Sequence, residues 1–517
     1  MKRFYMLVAA VCALSFPNAG AQDKAVKQII EAGTTDNRTM EHLDVLTNRF
    51  GGRPIGSDAY DNAAEWMMRE YRKWGLEVKA EKAGEMGVGF NRGPWFGKLL
   101  SHDHGMTLHF ATPSYTSGTK GVQRGHVLFE PKTEAEFRGM KHRLKGAWVL
   151  ISGENTGWPI DRSAAGDSMR QAIKQENEEI AKKNAELRRR NWEKGEKNEM
   201  LPLKEFPALF YHEMVEAGVL GFIQSSPVPI RALYDRKMVD SMTFDNVPEV
   251  PDIKLDEHQF DVIAEMVRER REDFQLEFDI RNHFRLGPVP YHNIIASIRG
   301  TKYPDEYVIV SGHLDSFDSA TGGIDCGTGI GPMMEAARLI AQSGAKPKRT
   351  ILFIAFAGEE FGLLGAKAYC KAHPEQLPKI ANLFNRDGGP EPPVGIGVSQ
   401  AMYEDFVKIC EPVKDINPDF PFEVTVREPR ERPKVPGGVD AEVFAVEGVP
   451  TYTFTTEDVK GYDFDYGEIW HTERDLYTKN IPEYQEHTAV VTAIVVLGVA
   501  NLEKQLPREG VFKEESK

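Results

Sequence analysis

The run from Thr350 to Phe356 constrains the fold of this chain more than any other stretch. After the threonine every residue is apolar, and a continuous apolar run of this length is typical of a strand buried on both faces of a sheet. Similar segments surround it: the predicted strands are 293–298, 307–310 and 381–384, and the predicted helices are 331–343, 361–372 and 484–502. Strands that alternate with helices predict an α/β fold, a mainly parallel mixed sheet with helices on both faces.

The α/β unit starts much earlier in the chain and is interrupted. Helical periodicity from about 25 to 74 and an alternating strand at 76–80 give way to a long stretch with β-rich segments of its own. We therefore predict a discontinuous α/β domain of residues 22–95 and 286–510, with a smaller β-rich domain of residues 96–285 inserted into it.

Within the insertion, residues 168–200 are highly charged and form a predicted helical arm. Ile173, Ile180 and Leu187 recur on it every seven residues. We favour a solvated helix over a partner-binding coiled coil, because three positions fall short of the sustained heptads that a coiled coil needs.

Charge and targeting signals limit the partners and the location of the protein. The 517-residue chain has a formal net charge of -14, so it has no basic surplus for neutralising nucleic-acid phosphates. Lys2 and Arg3, the apolar run 7–16 and the small residues 19–21 match a secretory signal peptide of residues 1–21. This predicts a secreted or periplasmic protein without a stable membrane span. Three cysteines would remain, too few for a disulfide framework but enough for one bridge: Cys326, Cys370 and Cys410.

Imidazole and carboxylate side chains occur where the predicted strands end. Because ligands of open α/β sheets bind outside the carboxyl ends of the strands, we expect these side chains to converge. They are His313, Asp315, Asp325, Glu359, Glu360, Asp387 and His471. Two imidazoles and several carboxylates form a nitrogen and oxygen set that suits zinc.

Each of these motifs has a simpler explanation when it is taken alone. A Glu359-Glu360 pair fits a solvated helix start, where the helix dipole favours acids, and Asp325 near glycines fits an ordinary turn. His313 alone fits a structural histidine, but Asp315 can hold its second ring nitrogen and fix its tautomer. The conjunction of these residues, each at a strand end or in a glycine-rich loop, favours a metal site.

Five short segments resemble the dinuclear-zinc peptidases of family M28, which includes aminopeptidases and glutamate carboxypeptidases. They are Ser311–Ser316, Gly323–Gly327, Ala357–Gly362, Asn385–Gly388 and His471-Thr472. Gly52–Ser57 and the strand from Asn293 are also similar to that family, so the resemblance covers the start of the chain and its second half. The insertion resembles, more weakly, the protease-associated domain that some members carry.

The resemblance implies a site with two zinc ions and one free acid. It assigns His313 and Asp387 to one ion, Glu360 and His471 to the other, and Asp325 as the bridge. It also implies that Glu359 is the general base, which takes a proton from the attacking water and returns it to the leaving amine. Asp315 is then the partner of the His313 imidazole.

Three positions leave the surroundings of this site open. Cys326 stands where the family usually has Asp or Asn, and a structural role at a tight turn is the preferred explanation. Trp470 precedes the last histidine where the family often has Tyr or His, which leaves Tyr466 or Tyr462 as candidate donors to the oxyanion. Asp440 is expected in the wall of the substrate pocket.

The function predicted from these residues is that of an exported metallo-exopeptidase acting on dipeptides or short peptides. The acidic cluster favours a free substrate amino terminus, while four arginines keep carboxylate binding open: Arg386, Arg427, Arg430 and Arg432. Two alternatives remain, a glutaminyl-cyclase-like acyltransferase with one zinc ion and a non-catalytic binding protein on the same fold. The sequence leaves a homo-oligomer open.

Overall fold

Among the first helices of the protein, the third packs against the central sheet, and the first two pack against later helices. The computed structural model describes residues 19–103 and 105–514, so most of the predicted signal peptide lies outside the described residues. The helices of this part are α1 (Ala19–Thr35), α2 (Thr39–Leu43) and α3 (Asp58–Lys73). Ser57 caps α3, because its hydroxyl accepts a hydrogen bond from the Tyr60 N–H at 3.0 Å.

A five-stranded mixed sheet forms the centre of the α/β domain. Its strands are β1 (Glu77–Asn91), β10 (His283–Ile298), β11 (Tyr303–His313), β12 (Arg349–Phe356) and β13 (Ile380–Asn385), in the spatial order β1-β10-β12-β11-β13. The β12, β11 and β13 strands are parallel, whereas β10 pairs antiparallel with β12 and β1 pairs antiparallel with β10. All of β12 is buried, as its apolar run predicts. The predicted α/β class with a mixed sheet is confirmed.

Helices cover both faces of this sheet and close the domain. They are α9 (Gly327–Gln342), α10 (Leu364–Ala372), α11 (Tyr403–Cys410), α12 (Asp440–Val446), α13 (Tyr466–Ile469) and α14 (Pro482–Ala500). A separate three-stranded sheet of β14 (Pro393–Val398), β15 (Glu423–Val426) and β16 (Phe454–Thr456) lies between them in sequence. Because α14 is buried around its whole circumference from Tyr484 on, it forms part of the core rather than a surface layer.

A second, eight-stranded sheet is built from the residues between β1 and β10. Its strands are β2 (Trp95–Ser101), β3 (Met106–Thr107), β4 (Phe110–Ala111), β5 (Gln123–Phe129), β6 (Ala147–Glu154), β7 (Gly221–Ser226), β8 (Asp252–Asp256) and β9 (Phe274–Ile280). The helices of this unit are α4 (Glu134–Leu144), α5 (Ala164–Lys194), α6 (Tyr211–Glu216), α7 (Arg236–Asp240) and α8 (Glu257–Arg268). This unit is called the inserted domain below.

The charged arm is the helix α5 together with the extended chain that returns along it. Three asparagines at seven-residue spacing, Asn177, Asn184 and Asn191, each pair through the side-chain amide with the backbone N–H and C=O of one returning residue. Those residues are Lys204, Leu201 and Asn198, with distances of 2.7 to 3.1 Å. Seven helical residues rise about 10.5 Å, and three extended residues span about 10 Å, so the two spacings match.

The described residues contain neither a disulfide bridge nor a helix that could span a membrane. Cys326, Cys370 and Cys410 are buried and free, so the one bridge that the sequence left open is absent from them. None of the helices in residues 19–103 and 105–514 has the length and apolar character needed to cross a membrane.

Candidate metal centre

The parallel strands bring the predicted ligands to one edge of the sheet. His313 is the last residue of β11, Asp387 follows β13 by two residues, and Glu359 and Glu360 follow β12 directly after the turn at Gly358. Gly358 has φ of +67°, a conformation that glycine adopts without the cost of a Cβ. The convergence expected at the carboxyl ends of the strands is therefore present in the structure.

Two loops complete the cluster. Asp325 immediately precedes the N-cap of α9, and the peptide bond to Cys326 is cis. His471 lies in the loop after α13 with φ of +58°, a left-handed conformation that is uncommon outside glycine and costs free energy. Its ring is held between those of Trp470, with centroids 4.0 Å apart, and Phe317, 4.6 Å apart.

The distances divide the cluster into two groups that share Asp325. The Nε2 atom of His313 lies 3.1 Å from Oδ1 of Asp325 and 3.6 Å from Oδ1 of Asp387. The Nε2 atom of His471 lies 3.4 Å from Oδ2 of Asp325 and 3.1 Å from Oε2 of Glu360. One oxygen of Asp325 therefore faces each group.

These side chains fit a pair of zinc ions. Zinc–ligand distances of about 2.0 to 2.2 Å in a tetrahedral site place the ligand atoms roughly 3.3 to 3.6 Å apart, close to the four distances above. Oε1 of Glu360 is buried and has no hydrogen-bond partner among the described residues. A buried carboxylate oxygen without a donor is costly unless a cation or a proton satisfies it.

The electrostatics of the cluster show how crowded its carboxylates are. Burial, reinforced by the charge of Asp325, raises the pKa of Glu360 to about 7. Burial and the neighbouring carboxylates raise the pKa of Glu359 to about 11. The His471 imidazole is disfavoured as a cation by burial, but Glu360 and Asp325 outweigh this and raise its pKa to about 10. Positive charge at this place would relieve the repulsion between the acids.

Asp315 positions the two halves of the centre by different atoms. Its backbone carbonyl accepts a hydrogen bond from Nδ1 of His313 at 2.9 Å, while its carboxylate is 3.8 Å from that nitrogen. The carboxylate instead accepts the N–H groups of Glu359 and Glu360 at 3.1 and 3.2 Å. Asp315 thus fixes the His313 tautomer through its main chain and the turn of the glutamate pair through its side chain.

Asp475 is a buried acid beside the centre that sequence reasoning missed. Its Oδ1 accepts a hydrogen bond from the Ile324 N–H at 2.6 Å, and its Oδ2 accepts one from the Asp325 N–H at 3.3 Å. Burial, with the charge of Asp325, raises its pKa to about 8. The available signal was its place four residues after His471.

Arg53, in the glycine-rich segment that follows α2, also supports the Asp325 loop. Its side chain is fully buried and donates to the backbone carbonyls of Leu314 at 2.9 Å and Thr321 at 2.8 Å. The guanidinium therefore ties the start of the chain to the segment between His313 and Asp325.

Cys326 and Asp440 lie behind the ligands. The Cys326 thiol donates to the Arg386 carbonyl at 3.2 Å, and its Sγ is within 4.8 Å of ligand atoms of His313 and Asp387. Burial raises the pKa of this thiol to about 11. Asp440 begins α12 and is 1% exposed, and burial raises its pKa. Its neighbours Val439 and Ala441 line a cavity next to the centre, so Asp440 lies beneath the pocket wall.

Three adjoining cavities surround the cluster. One of about 330 Å³ lies over Asp325, Glu359, Glu360, Asp387 and His471, and Tyr466 and Trp470 line it as well. A second, of about 590 Å³, opens beside Glu359 and Glu360, and a third, of about 320 Å³, opens beside Asp387. Tyr462 is elsewhere: its hydroxyl donates to Glu483 at 2.6 Å and its side chain is half exposed.

The inserted domain forms part of the 590 Å³ cavity, which the sequence did not predict. It contributes Trp158, Leu233, Tyr234 and Arg236, opposite Leu363 and Gly438 of the α/β domain. These residues are at least 77 positions from His313, the nearest predicted ligand in the sequence, and no motif marks them.

Comparison with known families matches residues 293–495 to peptidase family M28. This match contains every predicted metal ligand and the predicted base. Residues 293–495 form a domain of peptidase family M28. The resemblance stated from the five sequence segments is therefore confirmed.

Similar proteins extend over nearly all of this chain. Carboxypeptidase Q of Xenopus laevis is 25% identical over 502 residues, which cover 94% of this chain and 90% of that protein. A peptidase M28 precursor from Shewanella amazonensis has a similar fold, with a TM-score of 0.55, 20% identity, and coverage of 94% of this chain and 98% of its own. A structure described as a zinc aminopeptidase from Bacillus subtilis has a TM-score of 0.50, 16% identity, and coverage of 92% and 97%.

Proposed function

We propose that this M28 zinc metallopeptidase is a two-zinc exopeptidase that hydrolyses short peptides, with Glu359 as its general base. The observation that carries the proposal is the position of Asp325, whose two carboxylate oxygens face two separate ligand groups at 3.1 and 3.4 Å. A bridging carboxylate of this kind is what a pair of adjacent zinc ions needs.

In this proposal each ion is held by one imidazole and one carboxylate besides the shared aspartate. His313 and Asp387 hold one ion, and Glu360 and His471 hold the other. When bound, the two ions lower the pKa of a shared water molecule and polarise the carbonyl of the scissile peptide bond. Asp315 and Asp475 keep the ligands in place through the hydrogen bonds described above.

Glu359 is the acid of the cluster that no ligand group uses. It lines both the 330 Å³ and the 590 Å³ cavities, and Asp315 fixes its backbone N–H at 3.1 Å. From this position its carboxylate takes a proton from the attacking water and transfers it to the nitrogen of the leaving amine. Tyr466, which lines the cavity over the ligands, is the candidate donor to the oxyanion, whereas Tyr462 does not line that cavity and donates its hydroxyl to Glu483.

The expected free amino terminus of the substrate rests on the acidic character of the centre. An ammonium group in the cavity of about 330 Å³ would lie near the carboxylates of Asp387 and Glu359, which attract a cation. This expectation stays a prediction, and it defines the first form of the proposed activity, cleavage of the first residue of a short peptide.

Arg236 favours a second form, in which the substrate carboxylate is bound. The Arg236 guanidinium lines the 590 Å³ cavity beside Glu359 and makes no hydrogen bond or ion pair with any residue of the described chain. It lies so close to Gly362 that a Cβ there would be 1.9 Å from Nη1. An unpaired guanidinium in a cleft is a suitable anchor for a carboxylate.

The other arginines differ in their availability. The guanidinium of Arg386 is partly buried and donates to the carbonyls of Thr328, Gly389 and Glu391, so Arg386 is withdrawn as a carboxylate anchor. Arg430 pairs with Glu442 at 2.7 Å, and Arg432 donates to the Val446 carbonyl. Arg427 lines the 320 Å³ cavity and stays a candidate.

A panel of blocked and free peptides distinguishes the two forms. We expect zinc-dependent hydrolysis of free dipeptides, its loss on chelation and its recovery when zinc is restored. Arg236→Gln should raise KM about tenfold or more for substrates with a free carboxylate near the cleaved bond, because a charge-assisted hydrogen bond is lost. Substrates amidated at the carboxyl end should be unaffected, and Arg432→Gln is the control.

The outcomes of this panel separate the alternatives. Equal hydrolysis of amino-blocked peptides would remove the first form, and an unchanged KM of Arg236→Gln would remove the second. Absence of any peptide hydrolysis together with bound zinc would favour the acyltransferase alternative, and absence of zinc would favour the binding protein. Export to the periplasm or outside stays a prediction from the first residues.

A further inference from the structure

The two ligand groups of the centre are supported by different parts of the chain. His313 is oriented by the carbonyl of Asp315, and Asp387 follows Arg386, whose guanidinium contacts lie at 2.9 to 3.1 Å within the α/β domain. The chain neighbours of His471 and Glu360, by contrast, contact residues of the inserted domain. This asymmetry carries an inference about how the second ion is held.

The loop of His471 is docked on the inserted domain through Glu473. The carboxylate of Glu473 accepts the Ile230 N–H at 3.2 Å with Oε1 and faces Nε2 of His109 at 2.7 Å with Oε2. Its own N–H donates to the Ile230 carbonyl at 3.0 Å. Thr472, next to the ligand, forms an antiparallel bridge with Arg231. Both carboxylate oxygens of Glu473 are thus used by the inserted domain.

A stack of side chains extends this contact to the imidazole itself. The guanidinium carbon of Arg231 lies 5.3 Å from the centre of the Trp470 ring, within the range of a cation–π interaction. The Trp470 ring in turn stacks on His471 with an interplanar angle of 25°. Arg231 therefore contacts the ring of a proposed ligand indirectly, through the indole of Trp470 that lies between them.

Glu360 is supported by the same segment of the inserted domain. The ring of Tyr234 stacks on Phe361, the residue after Glu360, with centroids 3.8 Å apart and an angle of 14°. Tyr234 is 2% exposed. Its hydroxyl and Oε1 of Glu360 are both buried and lack a partner among the described residues. The single segment 230–234 of the inserted domain thus contacts the chain neighbours of both His471 and Glu360.

We infer that the inserted domain positions the second zinc site, formed by Glu360 and His471, and leaves the site of His313 and Asp387 to the α/β domain. Glu473, Arg231 and His109 are positioning residues that act through His471. The inference rests on the proposed two-zinc function. Groups that orient a metal ligand typically contribute about 10- to 100-fold to metal affinity.

Zinc titration of the full chain tests this inference, with the two ions resolved by competition against a chelator. We expect Glu473→Ala and Arg231→Ala to weaken the second ion about 10- to 100-fold and to leave the first unchanged. Glu473→Gln should stay close to wild type, since its amide can accept from Ile230 and donate to a neutral His109. Cobalt substitution gives a spectroscopic readout of the second site that is independent of turnover.

The matched control is Glu468→Ala, because Glu468 lies in α13, five residues before Glu473, but pairs with Arg474 and Lys479 of the α/β domain. Thermal unfolding of each variant checks that the chain is folded. Unchanged affinities in both alanine variants, or an equal loss of both ions, would overturn the inference. A wild-type chain that binds fewer than two zinc ions would instead contradict the proposed function, and the inference with it.

Discussion

At the scale of single residues, the centre depends on side chains that bind no metal in the proposal. Asp315 and Asp475 each use two carboxylate oxygens on backbone N–H groups of the ligand-bearing turns. Such hydrogen bonds hold the ligands before any ion binds, so the free energy of ordering them is not taken from metal binding. The sequence predicted the ligands but only one of these two supports.

Asp475→Asn is expected to loosen the Asp325 loop. An amide has one acceptor oxygen, so its NH2 group would be directed at a backbone N–H that now has no acceptor. We expect a loss of about 1–3 kcal/mol in the free energy of unfolding and about tenfold weaker zinc binding. Calorimetry and zinc titration measure the two effects.

The control for this substitution is Asp465→Asn, at the N-cap of α13 ten residues before Asp475. Asp465 caps α13 by accepting the Gly467 N–H at 2.8 Å, and asparagine caps helices as well as aspartate does. If Asp475→Asn behaved like this control in both measurements, the supporting role of Asp475 would be disproved.

At the scale of elements, the sequence predicted the strands best where they are fully buried. The run at 350–356 became β12 (Arg349–Phe356) almost residue for residue. The strand expected at 76–80 extends in fact to Asn91, because it pairs with β10 along its whole length, a long-range contact without a local signal. The helix expected from Phe361 starts at Leu364, because positive φ values at Gly358, Gly362 and Leu363 keep the chain in a tight turn.

The seven-residue repeat of the charged arm was only partly predicted from the sequence. The seven-residue spacing of Ile173, Ile180 and Leu187 was attributed to a solvated helix or a coiled coil. The structure shows that Asn177, Asn184 and Asn191 share that spacing and hold the returning chain. A partner segment within the same chain had not been considered.

Asn184→Ala is expected to release the returning chain without affecting turnover. The Leu201 N–H and C=O would lose partners at 2.8 Å, which costs about 1–3 kcal/mol locally. Limited proteolysis should then cut within 195–205 faster than in wild type, while Glu186→Ala on the exposed face serves as the control. Turnover should stay unchanged, because the described cavities around the centre are lined by no residue of 164–206. Equal cleavage rates in the two variants would refute the role of the asparagines.

At the scale of the whole molecule, the candidate site is shared between two domains that alternate in the sequence. All predicted ligands come from the α/β domain. The cavity residues Arg236 and Tyr234 come from the inserted domain, as do the residues that bind the Glu473 carboxylate. Motif spacing indicated the candidate ligands because His313, Glu360 and Asp387 lie at strand ends and the other two lie in short recognisable loops. It could not reveal the inserted residues, since their position depends on how the two domains pack rather than on local pattern.

The zinc-to-protein ratio of Glu359→Gln, measured beside its peptide turnover, tests the central claim most directly. Because Glu359 is proposed to move a proton rather than bind metal, the variant should retain two zinc ions per chain, as wild type does. Its turnover should fall by about 100- to 10,000-fold, the usual contribution of a general base. A ratio of one or zero, or turnover equal to that of wild type, would contradict a two-zinc peptidase with Glu359 as its base.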